Sequence, residues 1–452
     1  MKNKLVTTLL LTVATAFILA GCGESDNQDD CHPFYGETLT IAVPHTFHMG
    51  PFSEAYMAQN PGVTIELISF DFDGDWQGVR EVIGLQLLTG TAPTLIHSIA
   101  LDHNDPNVTR FLIDWFPFMG ADPYFIEENY FMSVFHAAAR NNRLYAFPFN
   151  FSFRAIAANS TVPGLVDALE GLESVTLLQL MELHRQSPTE NPLFMYADFD
   201  ALTGLSSTLY YFFDLGTQRI DFYNQTFKDF ITYAREITNP HSGTDFGWTR
   251  SYNALDQETQ AVWDQTYMFI RFDASHGFHN FMDFEDFTFK GATPVTNNQG
   301  ELIIYPFGGY VLNGQSTPAQ QALAWDFIHF ILRAHETLPG LYINLLPVNK
   351  DLLRAGLERQ IPPRISQMAR YGWQVYNPNN EPITHIINEA VEYVHSRIVA
   401  VNDIPMVASD VHTPVWDILL ETMENFQIGL LSAEQTAQDL QNRIRLVMME
   451  ME

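Results

Sequence analysis

Between Leu39 and Ile99 the chain switches between strand and helix patterns four times without interruption. Leu39–Val43 (LTIAV) is a β-rich run that ends at Pro44. His45–Asn60 comes next with helical spacing, carrying Phe52, Ala55, Tyr56 and Met57 on one side. Asn60-Pro61-Gly62 is a turn signal. Val63–Phe70 alternates as a second strand, Gln77–Leu88 is helical and closes on Thr89-Gly90, and Thr94–Ile99 is a third strand. Strand, helix, strand, helix, strand implies an α/β fold with a parallel sheet, because parallel neighbours need a long crossover. Ligands of such sheets bind beyond the carboxyl ends of the strands. The loops at Pro44–Gly50, Asp71–Trp76 and His97–Asp102 are therefore expected side by side.

The remaining chain reads in the same style. Arg143–Arg154 alternates and continues to Asn159, which predicts one strand over that stretch. Helices are expected at about Val175–His184, Leu202–Phe213, Tyr223–Ile237 and Asp256–Tyr267. Glu301–Leu312 (ELIIYPFGGYVL) is a β segment broken by Gly308-Gly309. Thr317 with Pro318 behind it predicts a helix N-terminus, the helix running to Leu332. Ser432 with Gln435 is a capping box for the last helix. At 452 residues, length allows two or three domains or two large lobes. Hydrophobic residues at 46% and charged residues at 17% are a globular composition. With 35 Phe and 18 Tyr, some aromatics must line surfaces or clefts as well as cores.

Acids outnumber Lys plus Arg by 53 to 23. Such a chain is repelled by phosphate backbones and by anionic headgroups, so nucleic acid is excluded as a partner and membrane attachment needs another device. Residues 1–22 supply one. Lys2 and Lys4 form a basic start, Leu5–Ala20 is apolar, and small residues bound it. The apolar stretch is short for a membrane span, which needs about 20 residues. Leu19-Ala20-Gly21-Cys22 resembles a bacterial lipobox, which implies removal of residues 1–21 and a lipid on Cys22. A diacylglyceryl group brings two chains, each buried methylene contributing about 0.8 kcal/mol. Gly23–Asp30 (GESDNQDD) then reads as a solvated acidic tether within residues 22–36. Cys31, the second of two cysteines, has no disulfide partner if Cys22 carries lipid.

An ordered series of short motifs resembles the family 1 extracellular solute-binding proteins, the maltodextrin-binding group. They are Asn60-Pro61-Gly62-Val63, Leu88-Thr-Gly-Thr-Ala-Pro93, Arg143-Leu-Tyr-Ala-Phe-Pro148 with Asn159 beyond, Met268 onward, Gly308-Gly309-Tyr310 before the Thr317–Leu332 helix, and Leu346-Pro-Val-Asn-Lys350. Trp416 before a helix, with a turn at Gly429 and the capped helix to Ile444, completes the series. Thr94 stands where the family has Asp, and 351–415 is longer than in familiar members. The resemblance implies a two-lobed type II periplasmic-binding fold with a ligand cleft between lobes. One lobe would hold 37–154 and 311–347, the other 158–306 and 350–452. It also implies an ABC importer's binding lipoprotein rather than an enzyme. Such a protein takes up a sugar by lobe closure, hands it to permease subunits, and stays at the outer face of the membrane, as a monomer without cofactor.

Candidate ligand residues are assigned by position. His45, Phe47 and His48 lie past the first strand, Asp73, Asp75 and Trp76 past the second, and His97 and Ser98 end the third. The resemblance implies that the chain crosses between lobes near Ser152–Ala158, Phe307–Leu312 and Pro347–Lys350. Asn150, Ser152 and Arg154 share one face of the strand at the first of these crossovers, since strand residues two apart point the same way. Tyr305, Gly309 and Tyr310 sit at a second crossover. Trp416 falls where the family places an aromatic plate, and Trp373 stands in an aromatic neighbourhood. Phe147, Phe149, Phe151 and Phe153 form the opposite face of the crossover strand and read as core. Asp71–Asp75 lacks a calcium loop's glycine placement and its Glu at position 12, which is Val82. His45/His48 and His276/His279 repeat an HxxH spacing, but zinc needs three or four ligands, so no metal is assigned. Few cations disfavour an anionic ligand, although Arg154 could serve one. A secreted hydrolase and a surface adhesin or sensor remain alternatives. The sequence contains no G-x-S-x-G, H-E-x-x-H, P-loop or G-x-G-x-x-G.

Overall fold

A computed structural model describes residues 33–44, 46–70, 76–102, 105–169, 171–186, 212–214, 219–237, 269–274, 289–297, 299–334, 346–370, 384–408 and 413–450. Its strands along the chain are β1 (Thr38–Val43), β2 (Thr64–Ser69), β3 (Leu95–His97), β4 (Ala146–Phe147), β5 (Asn150–Asn159), β6 (Val175–Thr176), β7 (Phe213–Asp214), β8 (Arg219–Ile220), β9 (Phe269–Asp273), β10 (Phe289–Thr296), β11 (Leu302–Phe307), β12 (Tyr310–Leu312), β13 (Leu346–Pro347) and β14 (Met406–Ala408). The chain divides into two compact units. One holds residues 1–150 and 307–342, the other 151–306 and 343–452.

The first unit is built on a sheet in the order β2-β1-β3-β12-β4. β1 runs parallel to β2 from Thr38 opposite Thr64 to Val43 opposite Ser69, and parallel to β3 through Ile41 opposite Leu95. The Thr46–Gln59 and Trp76–Thr89 helices make the crossovers. Strand, helix, strand, helix, strand is thus observed, for the reason the periodicity implies. Gly62 adopts φ +89°, and a Cβ there would fall 2.3 Å from the Tyr35 ring, so the Asn60-Pro61-Gly62 turn requires glycine. β1 is an interior strand, paired on both sides, with Leu39, Ile41, Ala42 and Val43 fully buried. Ile83 and Leu87 of the second helix pack with Ala42 and Ile96. The Pro318–Leu332 helix opens on a complete capping box of Thr317 with Gln320, and Phe327 and Phe330 meet the Tyr56 ring edge-on. Fully buried Trp115 donates its indole N–H to the Tyr310 carbonyl at 3.1 Å, which ties β12 to the loop before the Phe116–Ala121 helix.

The second unit has a mainly antiparallel sheet in the order β13-β5-β10-β11-β14, with β9 added to β5 and β6 to β10. β5 pairs antiparallel with both β10 and β9, and Ala155–Ala158 are fully buried. Phe212, Phe222, Phe227 and Phe230 pack with apolar residues of the Thr413–Gln427 and Ala433–Glu450 helices. Ser432 and Gln435 cap the last helix reciprocally, at 2.9 and 3.2 Å. The preceding turn closes through Gly429 at φ +79°. Among the described residues no helix is long and apolar enough to cross a membrane.

Some sequence expectations are corrected. Arg143–Asn159 is two strands in two sheets, not one. Pro148 has no N–H to give a ladder, so β4 stops at Phe147 and β5 starts at Asn150. Val175–Thr176 is strand, and the helix begins at Leu177, because the β-branched pair favours extended backbone. Thr176 and Gln179 cap that helix reciprocally at 2.7 and 3.2 Å. Phe213 is in a strand rather than ending a helix, while 202–211 and 256–267 lie outside the described residues. Trp416 lies inside the Thr413–Gln427 helix, not before it. The 351–415 stretch contributes the helices Lys350–Arg370 and Thr384–Ala400, together with β14.

Candidate functional site

In the first unit β1, β2 and β3 run parallel, so their carboxyl ends lie at one edge of the sheet. The segments that leave those ends share that edge. His45, Asp73 and Asp75 lie outside the described residues. Phe47, His48 and Trp76 stand at the starts of the two crossover helices, and their side chains also lie outside the description.

His97 ends β3 and pairs in register with Tyr310 of β12. Its half-buried ring meets the Tyr310 ring edge-on at 5.2 Å. The His97 Nδ1 accepts from the Ile99 N–H at 3.3 Å, and this assigns the neutral imidazole proton to Nε2. The Ser98 N–H donates to the Gly309 carbonyl at 2.8 Å. A Cβ on Gly309 would lie 3.2 Å from the Ser98 hydroxyl and 3.4 Å from the Phe147 carbonyl, so glycine permits this approach. Gly308 turns the chain at φ +65°, with the Asn150 amide beside it. Tyr310 is 3% exposed, and burial pushes its phenol pKa far above the ordinary range, so it stays neutral. The structure therefore brings His97, Ser98, Asn150, Gly309 and Tyr310 together. Phe149 joins them, half-buried with its ring 5.7 Å from Tyr310. Sequence alternation places Phe149 in the core; Pro148 next to it is the signal that the alternation breaks there.

In the second unit the candidates sit on strands. Ser152 and Arg154 are on β5, and Ser152 is fully buried. The Arg154 guanidinium lies 5.3 Å from the centre of the Tyr305 ring on β11, a cation–π arrangement. Half-buried Tyr305 and Trp416 pack against the same apolar core. His276, His279 and Trp373 lie outside the described residues. Among the described residues, no group of three or more His, Cys, Asp or Glu could hold a metal ion. Both clusters combine ring faces with a few hydrogen-bonding groups, and such a surface suits small polar molecules with apolar faces.

No protein-family model matches this sequence, and no protein of curated function matches it. Solved structures do match. The cyclic alpha-maltosyl-1,6-maltose binding protein from Arthrobacter globiformis aligns over 92% of this chain and 99% of its own, with a TM-score of 0.54 at 12% identity. An extracellular solute-binding protein family 1 member from Alicyclobacillus acidocaldarius aligns over 92% and 99%, with a TM-score of 0.55 at 14% identity. The sugar-binding protein MalE from Xanthomonas citri aligns over 92% and 98%, with a TM-score of 0.54 at 12% identity. The chain has the α/β fold of these solute-binding proteins, as the motif series implied.

Proposed function

We propose that this chain is the substrate-binding component of an ABC importer and that its ligand is a saccharide. The observation that carries this reading is the fold match over at least 90% of both chains with proteins whose ligands are maltose-type sugars. The aromatic and donor groups at the ends of β3 and β5 support it, because ring faces bury the apolar faces of sugars while hydroxyls find donors and acceptors. The units act by closing on the ligand, and the ligand shifts that balance only by its difference in affinity between the two states. Driving closure from 1:99 to 99:1 takes about 5.5 kcal/mol of that difference. Cys22 carries the lipid that holds the protein at the outer face of the membrane, where it meets the permease.

A thermal-shift series over maltose, maltotriose, xylobiose, xylotriose and digalacturonate tests the reading. A ligand at a hundredfold excess over its Kd stabilises by about 2.7 kcal/mol. A shift with one or more of them, without any new saccharide product, supports the reading. No shift with any of them, or steady turnover, refutes it. Cys22→Ser is expected to release the protein from the membrane fraction, and unchanged fractionation would refute anchoring.

A further inference from the structure

We propose that Tyr305 is a specificity-determining residue, its hydroxyl donating to an oxygen of the bound saccharide beside the Arg154 guanidinium. The proposal rests on the saccharide reading above and adds which residue selects the ligand.

β5 pairs with β11, so Arg154 and Tyr305 are neighbours across strands. Each stands close to a point where the chain passes from one unit to the other, at 150/151 and 306/307. The guanidinium over the ring fixes the ring plane. Tyr305 is only half-buried, yet its hydroxyl oxygen is out of contact with solvent and meets no hydrogen-bond partner among the described residues. A phenol at the edge of a protein normally keeps its O–H in water or bonded, since a buried hydroxyl left unmade is destabilising. A phenylalanine would fill the same space without that penalty, so the hydroxyl is retained for a partner that arrives from outside. A guanidinium is donor-only and the phenol donates readily, so the pair suits a ligand oxygen that accepts. Ring oxygens of neutral sugars and carboxylates of acidic sugars both qualify. Access to the hydroxyl requires its cover to move when the ligand arrives.

Tyr305→Phe separates this role from a structural one by the sign of two measurements. The free variant is expected to melt at the wild-type temperature or above. Its affinity for the best saccharide of the thermal-shift series, measured by calorimetry, is expected to fall about tenfold, the size of one lost hydrogen bond. Arg154→Met is expected to weaken binding as well, and a greater loss for digalacturonate than for maltotriose would identify an acidic ligand. Wild-type affinity in Tyr305→Phe overturns the proposal while leaving the saccharide reading intact. A fall in the melting temperature of the free variant together with unchanged affinity also overturns it. Absence of binding by the wild-type protein to every saccharide in the series overturns both.

Discussion

In the first unit the candidate polar side chains cluster at the ends of strands; in the second they stand within the strands. His97 and Ser98 come after the buried part of β3, so the parallel sheet can be held by Leu39, Ile41, Leu95 and Ile96 while the residues beyond it vary. Arg154 lies in the same strand as Phe151, Phe153 and the fully buried run Ala155–Ala158. There, candidate site residues and core packing share one backbone. The contrast indicates that substitution at the candidate positions His97 and Ser98 disturbs less of the core than substitution along β5.

Breaking that shared backbone gives the largest expected effect. Phe153→Ala empties a fully buried site and is expected to cost about 3–5 kcal/mol by denaturant unfolding, with saccharide binding lost alongside. A stable variant that still binds would remove the contrast. Gly309→Val probes the first unit at its tightest approach, against Ser98 and the Phe147 carbonyl. About 1–3 kcal/mol of stability should go, with weaker binding, and a neutral result would mean this edge is looser than its geometry. Both units share a capping device, and here they should behave alike. Thr317→Ala in the first and Thr176→Ala in the second should each cost about 1 kcal/mol in unfolding experiments. Unequal losses would sharpen the contrast beyond the sites themselves.

The smallest effect is electrostatic. The Lys228 ammonium, and after it the Tyr223 hydroxyl, hold the Glu434 carboxyl below its usual pKa. A lowered folded-state pKa contributes stability above the ordinary carboxylate range and loses it as pH falls through the lowered value. Glu434→Gln should therefore lower the melting temperature slightly at neutral pH and match the wild type in acid. A gap that widens in acid would reverse the assigned sign.

Much of the first unit was legible in the sequence because its signals are local. Period-two runs, Asn60-Pro61-Gly62 and the Thr317-Pro318 cap each determine their own few residues. The broken segment at Gly308-Gly309 was legible for the same reason. The second unit was harder, since β5 is buried on both faces and its Ala-Ile-Ala-Ala run carries no alternation to read. Phe147, Phe149, Phe151 and Phe153 alternate so regularly that they conceal the change of sheet at Pro148. Thr176-Leu-Leu-Gln179 is a capping box that a search for Ser/Thr with Gln three residues on would have found, and it would have moved the helix start. β14 was not foreseen because it is only three residues long, too short for a period-two pattern, and is held by its pairing of Met406 to Leu302 on β11.

The place of β12 has a consequence for how the protein is made. It lies between β3 and β4 in the first sheet, yet it is encoded after residue 306. A nascent chain that has emerged as far as β11 already contains β1 to β4, but β3 still has an open edge and β4 has no neighbour. The first unit thus finishes late in translation, after much of the second has been synthesised. Slow closure of a sheet by a distant strand keeps the chain open for longer. A product that stops short of Tyr310 would present that raw edge to other chains and aggregate.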